Sequence, residues 1–173
     1  MKLFIADLNQ IINNGDFIST AKARLLQTDL KRFQNFKNTH RALQFLVGRF
    51  LITTHVSPDY QTLETGKVVI KNGYISLAHS KNIVVLALHT SPVGVDIENI
   101  KERKNYKRIA KRMNFPACHS YLDFLKSWTA YEANFKLKIR ASNISYQYIT
   151  YQDFLICTAT SQTEQIKITP CFL

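Results

Sequence analysis

Apolar positions recur along this chain with two periods, and their alternation lays out its elements. Lys2-Leu3-Phe4-Ile5-Ala6-Asp7 reads as a strand at 2–7. Helical spacing follows at about 19–35 and again at 38–55, where Ala42, Leu43, Leu46, Val47, Phe50 and Leu51 repeat with a helical period. Lys67–Ile70 and Tyr74–Leu77 are β-rich runs on either side of Asn72-Gly73, which predicts a hairpin turn between them. Ile83–His89 is a further strand, rich in Val and Leu. A strand at 93–98 then opens a second half, with helices at about 103–114 and 118–139 that Pro116 should separate. Strands at about 145–150, 153–160 and 164–169 complete the pattern. Each half reads strand, helix, helix, then antiparallel strands. The expectation is an α+β protein of two similar α/β halves, 1–92 and 93–173, related by a pseudo-twofold axis, with a ligand cleft where they meet.

The strand at 93–98 is unlike the others. Val93-Gly94-Val95-Asp96-Ile97-Glu98 places two carboxylates two residues apart, so they share one face of the strand. Like charges side by side on a buried strand are costly unless a positive group sits on them. A divalent cation is the simplest such group. Gly94, lacking a side chain, permits another backbone or a ligand to come close.

A second constellation lies in the long helix. Trp128, Glu132 and Lys136 are spaced four apart and share one face. Alone, this spacing is equally an exposed Glu132–Lys136 ion pair, worth about 0.3–0.5 kcal/mol, beside an ordinary core Trp. Together with Asp96 and Glu98, Glu132 would complete an oxygen-rich site of the kind Mg²⁺ prefers. Lys136 would then stand one turn away, within reach of a phosphate on the same ligand. A third piece, Ser76-Leu77-Ala78-His79-Ser80, puts a His at a strand end; it has no metal-spaced His or Cys partner. No P-loop, dinucleotide fingerprint or GxSxG elbow occurs.

Composition narrows the setting. With 173 residues and 46% hydrophobic content, the chain is long enough for one domain or two small halves sharing a core. No apolar run approaches the roughly 20 residues that cross a bilayer, and the first strand is too short for a signal-peptide core, so a cytoplasmic protein is expected. Cys118, Cys157 and Cys171 form no CxxC pair, which argues for buried thiols rather than disulfides or zinc. The net charge of +11 attracts an anionic partner. Much of it lies between Lys101 and Arg112, where Glu102 is the only acid. That run is either a solvated helix face or a dock for an acidic protein. A nucleic-acid groove is disfavoured, since no helix-turn-helix, zinc or RNA-recognition pattern accompanies it.

The three pieces in this order resemble the 4′-phosphopantetheinyl transferases, specifically the monomeric type that activates surfactin synthetase. That family carries SLSHS, then (V/I)G(V/I)D(I/V)E, then WxxKExxxK. Here they stand as Ser76–Ser80, Val93–Glu98 and Trp128–Lys136, and the likeness extends over roughly residues 30–140. The resemblance implies the family's fold and a transfer of phosphopantetheine from coenzyme A to a serine of an acidic apo carrier protein, with adenosine 3′,5′-bisphosphate leaving. It implies Asp96, Glu98 and Glu132 as ligands of Mg²⁺ or Mn²⁺. It implies Arg41 and His79 near the 3′-phosphate of coenzyme A, Lys67 and Lys136 at its phosphates, and Glu132 as the base for the serine, with Lys136 beside it. No nucleic acid, membrane or obligate oligomer is implied. Two positions depart from the pattern: Ala78 stands where the family has Ser, and Tyr131 where it has Lys. Those departures leave a second reading, a non-catalytic relative that binds coenzyme A or a carrier protein.

Overall fold

The computed structural model describes residues 1–11, 15–101, 103–115, 118–139, 143–162 and 165–171. Pro116, expected between two helices, and Glu102, the acid of the basic run, lie outside the described residues. The architecture is α+β. A four-stranded sheet has the order β4 (Tyr74–Ser80), β5 (Ile83–His89), β1 (Lys2–Asp7), β9 (Lys167–Cys171). A three-stranded antiparallel sheet has the order β6 (Val93–Asn99), β8 (Phe154–Thr160), β7 (Ser145–Tyr151). β2 (Tyr60–Thr62) and β3 (Val68–Ile70) form a separate two-stranded ribbon.

β1 shows why these residues make this arrangement. It is apolar at consecutive positions because it is buried on both faces. Phe4 and Ala6 point to a core shared with Leu46, Val47, Leu51 and Ile52 of α3 (Thr39–His55). Leu3 and Ile5 point to a second core shared with Val93, Val95 and Ile97 of β6 and Ile156 of β8. The inner faces of the two sheets therefore enclose one core. α3 covers the outer face of the first sheet. α5 (Tyr121–Leu137) covers the second, packing Ala133 and Leu137 on Cys157 and Ala159. Ser120 begins α5 with a reciprocal cap: its side chain accepts from the Asp123 N–H while the Asp123 carboxylate accepts from the Ser120 N–H.

Four local expectations are corrected. The helix at about 19–35 is two helices, α1 (Gly15–Ala23) and α2 (Gln27–Gln34), with Leu26 extended between them. Leu25 and Leu26 both pack on the same core, and adjacent residues of a continuous helix point about 100° apart, so the chain turns. The Asn72-Gly73 turn does connect β3 to β4, yet among the described residues no ladder joins them. β3 pairs with β2, and β4 pairs with β5 around Lys81, which takes a positive φ of 48°. Gly73, at φ 107°, instead brings the chain against the His89 carbonyl, where a Cβ would stand 2.8 Å from that oxygen. Finally, the last strand begins at Lys167 and runs parallel to β1 rather than beside its sequence neighbours. α4 (Tyr106–Arg112) is shorter than the spacing predicts.

Candidate functional site

β6 fixes the site. Its alternation sends Val93, Val95 and Ile97 into the core and Gly94, Asp96 and Glu98 toward α5. A Cβ at Gly94 would run into the Ala133 carbonyl oxygen and stand 2.9 Å from the Leu137 nitrogen. β6 and α5 thus meet backbone to backbone, which is the close approach that Gly94 permits. This contact brings the Trp128–Glu132–Lys136 face over the two carboxylates. Trp128 Nε1 donates to Glu98 Oε1 at 3.2 Å, and Lys136 Nζ donates to Asp96 Oδ1 at 2.7 Å and to the Val95 carbonyl at 3.1 Å. The local Glu132–Lys136 pair does not form; Lys136 prefers a buried partner.

The three carboxylates differ in state. Asp96 is 8% exposed, and its Oδ2 is buried without a hydrogen-bond partner. Burial pushes its carboxyl up to about 6, against the pull of Lys136 and with help from the negative charges of Glu98 and Glu132. Glu98 is saturated by donors: Ser80 Oγ at 3.2 Å, Arg103 Nη2 at 2.6 Å and Trp128. Glu132 is half-buried and makes no hydrogen bond or ion pair among the described residues. Among those residues no three His, Cys, Asp or Glu side chains stand close enough together to hold a metal ion as they are. The donor chemistry nevertheless suits a hard divalent cation: all three groups are carboxylates, and one oxygen is buried and unpaired.

The cationic residues gather on the other side of β4. A cavity of about 410 Å³ is lined by Lys67, Ser76, Lys136 of α5 and Lys138 just after its end. An adjoining cavity of about 430 Å³ is lined by Arg32, Arg41, Ala78 and His79. Arg49, Gly66 and Leu77 line both, and among the described residues no Asp or Glu lines either. Arg41 Nη1 stands 3.2 Å from His79 Nε2 and 3.4 Å from Nδ1. A guanidinium can only donate, so this contact needs a neutral imidazole. Burial, then the charge of Arg41, holds the His79 ring below its ordinary range, in the same direction.

The structure therefore brings Arg41 with His79, and Lys67 with Lys136, into two connected cavities. Asp96, Glu98 and Glu132 do not line them. Lys136 links the groups, since it bonds Asp96 and lines the first cavity. Ser76 and Ser80 have roles that the sequence did not reveal. Ser76 Oγ accepts from the Val95 N–H at 3.1 Å and ties the two sheets together, while Ser80 donates to Glu98. Their i, i+4 spacing on one strand face was the available signal. Tyr131 is 45% exposed and packs on Phe115 and Trp128, with ring centroids 6.1 and 6.3 Å away.

No protein-family model matches the chain. Over 108 residues it is 31% identical to the 4′-phosphopantetheinyl transferase gsp of Aneurinibacillus migulanus, which covers 58% of this chain and 46% of that protein. The chain thus spans less than half the length of the curated relative it matches.

Proposed function

We propose that this protein is a 4′-phosphopantetheinyl transferase that moves phosphopantetheine from coenzyme A to a serine of an apo carrier protein. The observation that carries the reading is Lys136. It joins the Asp96 carboxylate of β6 to cavities whose charged lining side chains, among the described residues, are all cationic types. A ligand with phosphates at both ends of a short span suits that cation distribution, and the named relative points the same way.

On this reading the halves 1–92 and 93–173 share a ligand cleft between them. Arg41 and His79 receive the 3′-phosphate end of coenzyme A, with the neutral His79 acting as a hydrogen-bond donor rather than a charge. Lys67 and Lys136 meet the pyrophosphate. Asp96, Glu98 and Glu132 would hold Mg²⁺, which when bound neutralises the pyrophosphate charge. Lys136 and Arg103 presently neutralise two of those carboxylates and compete with the cation for them. Glu132, which has no hydrogen-bond or ion-pair partner among the described residues, accepts the proton of the attacking serine. The serine oxygen forms a bond to the β-phosphorus, the bond from that phosphorus to the bridging oxygen breaks, and adenosine 3′,5′-bisphosphate carries the electron pair away.

The exposed cations of α4, Lys107, Arg108 and Lys111, provide the dock for an acidic carrier. A non-catalytic relative is the second reading. It is favoured by Tyr131, whose ring lies in an aromatic row where a phosphate-binding Lys would otherwise stand. One assay separates the two. The protein is incubated with coenzyme A, Mg²⁺ and a panel of apo acyl and peptidyl carrier proteins, and the carriers are weighed intact. A phosphopantetheine adduct that Glu132→Gln abolishes supports transfer. Coenzyme A binding without an adduct on any carrier supports the binder.

A further inference from the structure

We propose that Arg49 is an additional phosphate-binding residue of the cavities, held in readiness by Asp29; this rests on the reading above. Arg49 lies on α3 and is 4% exposed, and Asp29 on α2 is fully buried. Arg49 Nε donates to Asp29 Oδ2 at 2.8 Å and Nη2 donates to Oδ1 at 3.5 Å. Tyr60 and Thr62 hydroxyls also donate to Oδ2, at 2.8 and 3.0 Å, so the carboxylate is fixed from several sides. The guanidinium lies over the Phe45 ring, 4.6 Å from its centroid. One edge of the group is therefore committed to Asp29, and the Tyr60 ring lies against it as well, 6.0 Å from its centroid. Nη1 makes no hydrogen bond among the described residues.

A buried ion pair is a poor stabiliser, because desolvation offsets most of the attraction. Had Asp29 and Arg49 served packing alone, an apolar pair of the same volume would do as well. What sets this pair apart is its place. Arg49 lines both cavities at their junction, between the Arg41–His79 end and the Lys67–Lys136 end. A guanidinium clamped on a carboxylate and an aromatic ring has little orientational freedom left to lose when it meets a phosphate. The middle of a ligand that spans both cavities must pass it.

Binding of coenzyme A and of inorganic pyrophosphate is measured by calorimetry for the wild type, Arg49→Lys and the double variant Asp29→Asn/Arg49→Met. The double variant leaves no buried charge unpaired and keeps an acceptor for Tyr60 and Thr62. We expect it to melt cooperatively and to bind coenzyme A at least about tenfold more weakly, as loss of a charge-assisted hydrogen bond implies. Arg49→Lys should fall between it and the wild type. A folded double variant with wild-type affinity would overturn the role of Arg49 and leave the transferase reading standing. If the double variant does not fold, unchanged affinity in Arg49→Lys overturns it instead, and a several-fold loss supports it. Arg49-dependent binding of pyrophosphate without binding of coenzyme A would retain Arg49 and remove the transferase reading. Wild-type protein that binds neither would remove both.

Discussion

Asp96 has one oxygen on Lys136, the other buried with nothing, and two further carboxylates acting on it. A carboxyl raised from 3.8 to about 6 binds its proton more tightly when folded than when unfolded. Stability therefore declines as pH rises through that interval, and the cost is complete above it. A shift of this size corresponds to roughly 3 kcal/mol. Asp96→Asn should flatten the change in melting temperature between pH 4 and pH 7 relative to wild type, read by circular dichroism. A parallel slope in both proteins would assign the pH dependence to other groups. The carboxylates were legible in the sequence, because a period of two puts Asp96 and Glu98 on one face whatever the rest of the fold does. The partner of Lys136 was not. The i, i+4 rule sees only the helix, and Asp96 outcompetes Glu132 through a contact 40 residues away in sequence. Asp29 and Arg49 were hidden for the same reason.

At the scale of elements, β6 and α5 matter most, and Gly94 sets their distance. Gly94→Ala forces the α5 backbone away at Ala133 and Leu137. It should cost about 1–3 kcal/mol or more, and it should separate Lys136 from Asp96. Denaturant unfolding would record the first effect. Loss of carrier modification at temperatures where the variant is still folded would record the second. α4 invites a different test, since its cations are exposed and on the proposed reading would meet the carrier rather than the small ligand. Reversing Lys107 and Lys111 to Glu should lower kcat/KM for an acidic carrier roughly tenfold at low salt, with the deficit shrinking as ionic strength rises. Coenzyme A affinity should stay as it was. Element boundaries followed the sequence where the apolar pattern was plain, as in α3 and in β5, which is buried on both faces. They departed where pairing was decided at long range. Asn72-Gly73 predicts a turn correctly, but a turn signal does not say which strands it will pair, and β5 and β2 took the two candidates.

The whole molecule is held together by the core that its two sheets share. Leu3, Ile5, Val85 and Ala87 come from the first sheet, and Val93, Val95, Ile97 and Ile156 from the second. Ser76 adds a polar stitch across the same junction. β9 carries the chain back to pair with β1 after the second sheet is complete, so the first sheet takes strands from both ends of the sequence and cannot close before the second is made, whereas the second is built from one stretch, 93–160. The repeat of element order along the chain suggests two separable halves, but the burial pattern points to one cooperative unit. Ile97 decides between these expectations, since it lies at the centre of the shared core and is 1% exposed. Ile97→Ala should cost about 2–5 kcal/mol. If folding is cooperative across the junction, hydrogen exchange should accelerate together in β5 of the first sheet and β8 of the second, because both then open through global unfolding. If the halves fold independently, only β8 and its neighbours should lose protection while β5 keeps its wild-type rate. The same variant bears on the site. Ile97 sits between Asp96 and Glu98, so a loosened strand would move both carboxylates relative to α5, and carrier modification should fall before the melting transition begins.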